Sequence, residues 1–285
     1  MSWIVDKVHE NVHVIKVRLR TRMWEQYVLL QTDEHLDNPK CDRALLKRHH
    51  ELAKKRNAPI IKGGDTFCAM QGKYDPRSSK RDLLPEHQCD GYLDALVDTA
   101  IDFYSPYADQ IAVIGRGNHE ESIKNRHETD LTSRLARGLS MMGGKTHAGG
   151  YGGWVRFQFQ RGKSNKVQKS MKMFYHHGYG GGSPVTKGLI QFARFAEYID
   201  ADIIMAGHIH QRNYAQIQRI HLNGNNKPVS KKIRYIRCGT YKDDYKDGCD
   251  TWHVQKGQGP RPLGGWWLRF FMEGDKLQCE VIEAI

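Results

Sequence analysis

Five times along this chain a short apolar run ends in a cluster of carboxylate, imidazole or carboxamide side chains. Residues 27–31 lead to Asp33-Glu34-His35, and residues 59–61 lead to Gly64-Asp65. Residues 111–114 lead to Gly117-Asn118-His119-Glu120, 173–175 to His176-His177-Gly178, and 203–206 to Gly207-His208-Ile209-His210. Apolar runs of this length suit buried strands. In α/β proteins the loops beyond the carboxyl ends of the strands meet at one crevice. Repeating the same placement five times therefore predicts a layered α/β fold in which these groups converge.

The stretches between the runs fit that layering. Leu45, Leu46, Leu52 and Ala53 mark a partial helical stripe over 42–56. Asp90 is placed to cap an amphipathic helix with Leu93, Leu96, Val97, Ala100, Ile101 and Tyr104 on one face. Leu189, Phe192, Ala196 and Ile199 mark another helix. The last third turns strand-rich: 233–237 reads as a strand, and 266–272 and 277–282 flank Glu273-Gly274-Asp275 as a hairpin. Glycines crowd 143–182, which predicts closely approaching or mobile backbone there. No repeat or linker divides the chain, so one domain over 1–285 is expected, with its motif-bearing part at about 27–240 and strands 264–283 in the same unit.

Within the clusters the residue types are hard or borderline metal ligands, with no thiol among them. Oxygen and nitrogen sets of this kind suit Mn, Fe, Zn, Ni or Co in hydrolytic sites, whereas structural zinc recruits cysteines. In an extended segment, i and i+2 point to the same side, so Asp33 with His35, and His208 with His210, can each approach one metal cluster. Gly64, Gly117, Gly178 and Gly207 leave room where the backbone turns sharply or lies close to an ion. Asn118 can equally cap a helix.

The ordered series Asp-x-His, Gly-Asp, Gly-Asn-His-Glu, His-Gly and Gly-His-x-His resembles that of the calcineurin-like metallophosphoesterases. It covers roughly residues 28–211, and Cys238-Gly239-Thr240 is similar to a Gly-Ser turn of that family. The resemblance implies an α/β (α+β layered) fold of two mixed β-sheets packed face to face and flanked by helices, a four-layer αββα sandwich. It implies two divalent metal ions, with Mn2+ first and Fe, Zn, Ni or Co as alternatives. Asp33, His35 and His210 would hold one ion; Asn118, His177 and His208 would hold the other; Asp65 would bridge them. His119 would not bind metal but face the substrate, as acid or electrostatic support. Of the adjacent His176 and His177, the family's His-Gly pattern favours His177. The implied reaction is in-line attack of metal-bound hydroxide on a phosphoester.

Charge bears on the substrate. Lys and Arg number 44 against 32 Asp and Glu, a net +12, which favours polyanions such as DNA or RNA. The basic residues fall in groups: Lys47, Arg48, Lys54, Lys55 and Arg56; Arg77, Lys80 and Arg81; Arg161, Lys163, Lys166, Lys169 and Lys172. These suit solvated helix faces and hairpin tips equally well. Tyr151, Trp154 and Tyr179 are either base-stacking platforms or ordinary loop anchors. The expectation is a phosphodiesterase for nucleic acid or nucleotides. Alternatives are a broad phosphomonoesterase and, in another class, a non-catalytic nucleic-acid-binding or scaffold protein. Asp65 is followed by Thr66-Phe67-Cys68-Ala69-Met70, which departs from the pattern of serine/threonine protein phosphatases. No apolar run reaches the roughly 18–20 residues of a membrane span, so no membrane partner is expected. The polar residues among the first 15 argue against export. The six scattered cysteines read as free thiols of a cytoplasmic protein.

Overall fold

The computed structural model describes residues 2–19, 21, 23–71, 78, 82–161, 167–183, 185–246 and 252–285. Arg77, Lys80, Arg81, Lys163, Lys166 and Cys249 lie outside the described residues. Two mixed sheets carry the fold. The first is built from β3 (Glu25–Gln31), β4 (Ile60–Lys62), β5 (Ile111–Ile114), β6 (His147–Ala148), β12 (Gly265–Glu273) and β13 (Lys276–Ala284). Its order is β13-β12-β3-β4-β5-β6, with β3 to β6 parallel and the terminal hairpin antiparallel.

The second sheet has seven strands. They are β1 (Ser2–His9), β2 (Val12–Leu19), β7 (Gly152–Arg161), β8 (Val167–His176), β9 (Ile203–Ala206), β10 (Asn213–Leu222) and β11 (Pro228–Arg237). The order is β1-β2-β7-β8-β9-β11-β10. β8, β9 and β11 run parallel, so His176, Ala206 and Arg237 end side by side.

Alternation along the strands stacks these layers. Val28, Leu30, Ile61, Val113, Leu268 and Phe270 meet Ile15, Val17, Phe157, Phe159, Met173, Met205 and Ile236 between the sheets. The opposite face of the six-stranded sheet, with Leu29, Ile60, Ile114 and Trp267, packs on helices α1 (Arg43–Lys55), α2 (Tyr92–Tyr104), α3 (Asn118–His127) and α4 (Leu131–Met141). Ile204, Ala206, Ile233 and Tyr235 bury the outer face of the other sheet against α5 (Leu189–Tyr198). The result is two mixed sheets face to face with helices outside, an αββα layering. No helix among the described residues is long and apolar enough to cross a membrane.

Several local readings change. Asp90 does not cap α2; Gly91 holds that position and no side chain bonds there. Asn118 is the first residue of α3, not its cap, which is Gly117. The glycine-rich stretch contains β7, whose Val155, Phe157 and Phe159 are wholly buried. The described cysteines, Cys41, Cys68, Cys89, Cys238 and Cys279, are free thiols.

Candidate metal centre

All five clusters sit at the carboxyl ends of β3, β4, β5, β8 and β9. The loops are laced by main-chain bonds: Asp33 N–H donates to Gly64 O at 3.0 Å and His35 N–H to Asp65 O at 3.1 Å. Gly207 N–H donates to His177 O at 2.8 Å, which joins the last two clusters. The Cys238-Gly239-Thr240 turn buttresses the first, as Thr240 Oγ1 and Tyr241 N–H donate to Asp33 O at 2.8 and 3.0 Å.

Asp33 and His35 converge, as do His208 and His210, but extended backbone is not the cause. Asp33 (φ 54°), His35 (φ 49°), Asp65 (φ 51°), His208 (φ 74°) and His210 (φ 54°) all occupy the left-handed region. Each such non-glycine residue costs roughly 1–2 kcal/mol relative to ordinary backbone. Gly117 is required sterically, since a Cβ there would lie 2.1 Å from Asp65 Oδ1. Gly64, at φ +106°, would meet Gly117 N at 2.6 Å and His177 Nδ1 at 2.7 Å.

The side chains form two groups. Asp33, His35 and His210 bring one ligand atom each within 4.8 Å of one another, and so do Asp65, His177 and His208. In the first, His35 Nε2 and His210 Nε2 are 3.2 Å apart, and His210 Nε2 lies 3.4 Å from Asp33 Oδ1. In the second, His177 Nε2 lies 3.1 Å from Asp65 Oδ2. Asn118 Oδ1 joins that group, 3.0 Å from His177 Nε2 and 2.7 Å from His208 Nδ1. Asp33, His35, Asp65 and His177 are nearly inaccessible to solvent. Such crowding of lone-pair donors, two imidazole nitrogens 3.2 Å apart included, fits a site built around cations.

The adjacent His176 and His177 make different hydrogen bonds. His177 Nδ1–H donates to Gly63 O at 3.1 Å, which turns Nε2 toward Asp65. His176 turns away: its Nδ1 accepts from Gly178 N–H at 2.9 Å, and its ring packs against Phe195. His119 belongs to neither group but lies against both, with Nε2 3.8 Å from Asp65 Oδ2, its ring centroid 5.0 Å from that of His35 and Nδ1–H donating to Cys68 O. Tyr151, Trp154 and Tyr179 are anchors. Tyr151 OH donates to Gly178 O at 2.9 Å, while Trp154 and Tyr179 pack on the α5 cluster.

Electrostatics follow from burial and mutual proximity. Burial alone would lower the His177 imidazole, but the facing Asp65 carboxylate, with Asp33 and Glu120 behind it, raises it to about 9. Burial would raise Asp65, yet His177 and His119 hold it well below the usual carboxylate range. Burial and the neighbouring His119 and His210 push His35 well below its ordinary value.

Behind the centre lie groups that sequence reading did not assign. Glu120, at the end of Gly-Asn-His-Glu, accepts from the N–H groups of Asp65 (3.1 Å), Gly117 (2.8 Å) and Phe67 (2.9 Å). Burial and then Asp65 raise its carboxyl to about 8. Glu34 points to the helix side, where Lys62 Nζ lies 2.6 and 2.7 Å from its carboxylate oxygens and Tyr104 OH donates at 2.5 Å. Both Glu34 and Lys62 are 1% exposed. Arg237, fully buried, donates to Gly207 O at 2.6 Å, Gly188 O at 3.1 Å and Gln191 Oε1 at 2.9 Å. A lysine directly after the apolar run 59–61 and an arginine ending the strand 233–237 were the available signals.

No family model matches the chain, and no curated protein matches it. Among solved structures it is similar to a conserved uncharacterized protein, a predicted phosphoesterase, of Streptococcus pneumoniae (14% identity, 92% of this chain and 91% of that one, TM-score 0.32). It is similar also to a metallophosphoesterase of Sphaerobacter thermophilus (13% identity, 91% and 88% covered, TM-score 0.35). A third is GAP50, the anchor in the inner membrane complex of Plasmodium (12% identity, 91% and 85% covered, TM-score 0.42). The two-sheet sandwich, with five motif loops at one rim, is consistent with the calcineurin-like metallophosphoesterase fold that the sequence resembles.

Proposed function

We propose that this chain is a dinuclear metal-dependent phosphoesterase, a phosphodiesterase acting on nucleic acid or nucleotides. The observation that carries the reading is the pair of ligand groups, Asp33/His35/His210 and Asp65/His177/His208, with Asn118 beside the second. Two divalent ions bound there, Mn2+ first among them, supply activation of water and neutralisation of phosphate charge. Asp65, whose carboxylate faces His177 and is electrostatically paired with His35 of the other group, would be the carboxylate shared by the two ions. His208 N–H donates to both oxygens of Asp33, at 3.1 and 3.0 Å, and so orients that carboxylate. Donation from His119 Nδ1–H to Cys68 O fixes that ring with Nε2 toward the cleft. From there it delivers a proton or positive charge to the leaving oxygen. The net charge of +12 supports a polyanionic substrate.

The test is hydrolysis of bis-p-nitrophenyl phosphate against p-nitrophenyl phosphate with added manganese, alongside metal analysis. The diester is expected to be preferred, with two ions per chain. Asp65→Asn should lose both ions and turnover together. Two bound ions with undiminished hydrolysis in that variant would overturn the assignment. Preference for the monoester would replace the diesterase reading with a phosphatase, and inertness toward both would favour the scaffold alternative. Salt-sensitive binding of single-stranded DNA by the active protein would narrow the substrate to nucleic acid.

A further inference from the structure

Beside the two ligand groups stands a third, of different chemistry. Cys68, His35 and His119 bring Sγ and one ring nitrogen each within 4.8 Å of one another. This is the one such group among the described residues that contains a thiol. Cys68 sits in the loop after β4, which Asp37 pins by accepting from the N–H groups of Cys68 (2.5 Å) and Ala69 (2.8 Å). Its backbone carbonyl takes the Nδ1 proton of His119, so a neutral His119 keeps its lone pair on Nε2.

The sulfur has a polar neighbour. Asn38 Oδ1 accepts from Lys40 N–H at 3.0 Å, which fixes the amide so that Nδ2–H points at Cys68 Sγ, 3.5 Å away. Burial and then the Asp37 carboxylate push the Cys68 thiol well above its ordinary value, against smaller opposing effects of Lys242 and the Asn38 donor, so the group is a neutral thiol until a cation displaces its proton. His35 Nδ1 is buried and has no hydrogen-bond partner among the described residues.

We propose that Cys68, His119 and His35 form a third cation site, selective for thiophilic divalent ions such as Cd2+ and Zn2+, next to the dinuclear centre. One sulfur and two imidazoles match soft or borderline ions, whereas Mn2+ prefers oxygen. On binding, the S–metal bond would form as the thiol proton leaves to solvent, and because Nε2 of His35 belongs to the first ligand group, the Nδ1 proton of His35 would leave to solvent as well. Because His119 is a ligand of this ion, its nitrogen is withdrawn from the substrate. The inhibitory consequence rests on the phosphoesterase reading; the binding itself does not.

The experiment titrates the manganese-loaded full chain with Cd2+ in a Cys89→Ser/Cys249→Ser background. Readouts are the ultraviolet thiolate-to-cadmium charge-transfer band and residual bis-p-nitrophenyl phosphate hydrolysis. A saturating band of one cadmium per chain is expected, together with inhibition that excess manganese does not relieve. Cys68→Ser should remove the band and raise the half-inhibitory Cd2+ concentration about tenfold or more, normalised to its own manganese activity. Cys68→Ala serves if the serine variant does not fold, and His119→Ala should weaken cadmium binding while the thiolate band remains. A band that survives loss of Cys68, or no band in the parent, overturns the third site. A Cys68-dependent band in a protein that hydrolyses nothing defeats the phosphoesterase reading alone.

Discussion

The two sheets contribute unequal halves of the candidate centre. The six-stranded sheet, through β3, β4 and β5, delivers both carboxylates, Asp33 and Asp65, with Asn118, His35 and His119. The seven-stranded sheet, through β8 and β9, delivers imidazoles alone: His177, His208 and His210. Their supports differ in kind as well. Behind the acidic half, carboxylates accept from main-chain N–H groups and from a buried ammonium, as with Glu120, Asp37 and the Glu34–Lys62 pair. Behind the imidazole half, the buried guanidinium of Arg237 donates to carbonyls of Gly207 and Gly188. The two halves are thus backed by different chemistry one layer behind the candidate ligands.

Four substitutions probe this contrast. The largest effect is expected at His119, the acidic-half residue proposed to face the substrate. His119→Ala should keep both ions by metal analysis and lower turnover by ~10²–10⁴. Unchanged turnover would place the acid elsewhere. Next comes the buried ion pair. Lys62→Met leaves Glu34 buried and unpaired, so stability should fall by about 3–5 kcal/mol in denaturant titration. A loss under about 1 kcal/mol would mean that Tyr104 alone satisfies the carboxylate.

On the imidazole side, Arg237→Lys removes the fork that spans Gly207, Gly188 and Gln191. Metal affinity should drop roughly 10–100-fold, read by competition with a chelating dye. Equal affinity would show that the Gly-His-x-His loop holds its shape unaided. The smallest effect belongs to this sheet's exposed counterpart of the buried pair. Lys172 and Lys231 lie 2.8 and 3.1 Å from Asp200, whose side chain is 73% exposed. Hydrogen bonds from those lysines hold its carboxyl at about 2, against an ordinary 3.8. The folded state therefore binds protons less readily, so the stabilisation is complete above pH 3.8 and vanishes as pH falls through about 2. Because the pair is solvated, Asp200→Asn should cost at most about 1 kcal/mol at neutral pH, and urea midpoints at pH 7 and pH 2 would check both size and sign.

Much of this was legible in the chain itself, for identifiable reasons. Strands such as Ile111–Ile114 and Ile203–Ala206 are buried on both faces, so they read as continuous apolar runs. The ligands follow them because chemistry is placed where strands end. The N-terminal hairpin of β1 and β2 was not read, since Asp6, Lys7, His13 and Lys16 interrupt its apolar residues, although Val12–Leu19 does alternate. β10 carries Gln216, Gln218, Arg219 and His221 and is largely exposed, so no burial pattern marks it. α4 was missed despite Leu131, Leu135 and Leu139 at helical spacing. At the site the convergence of the candidate ligands was legible from their type and order, but their left-handed backbone was not, because residue identity at Asp33 or His210 does not announce φ. The supports Lys62 and Arg237 were missed because a charged residue at a strand end ordinarily reads as solvated; only tertiary packing buries it.

That left-handed backbone has an evolutionary corollary. Five of the proposed ligands sit in conformations that glycine or asparagine would adopt with less tension. Random drift toward a more heat-resistant polypeptide therefore runs through the very positions that chelation needs. A lineage released from selection for chemistry would be expected to shed these histidines and aspartates early, gaining robustness as it does so. Each of the five trades backbone ease for the placement of its side chain.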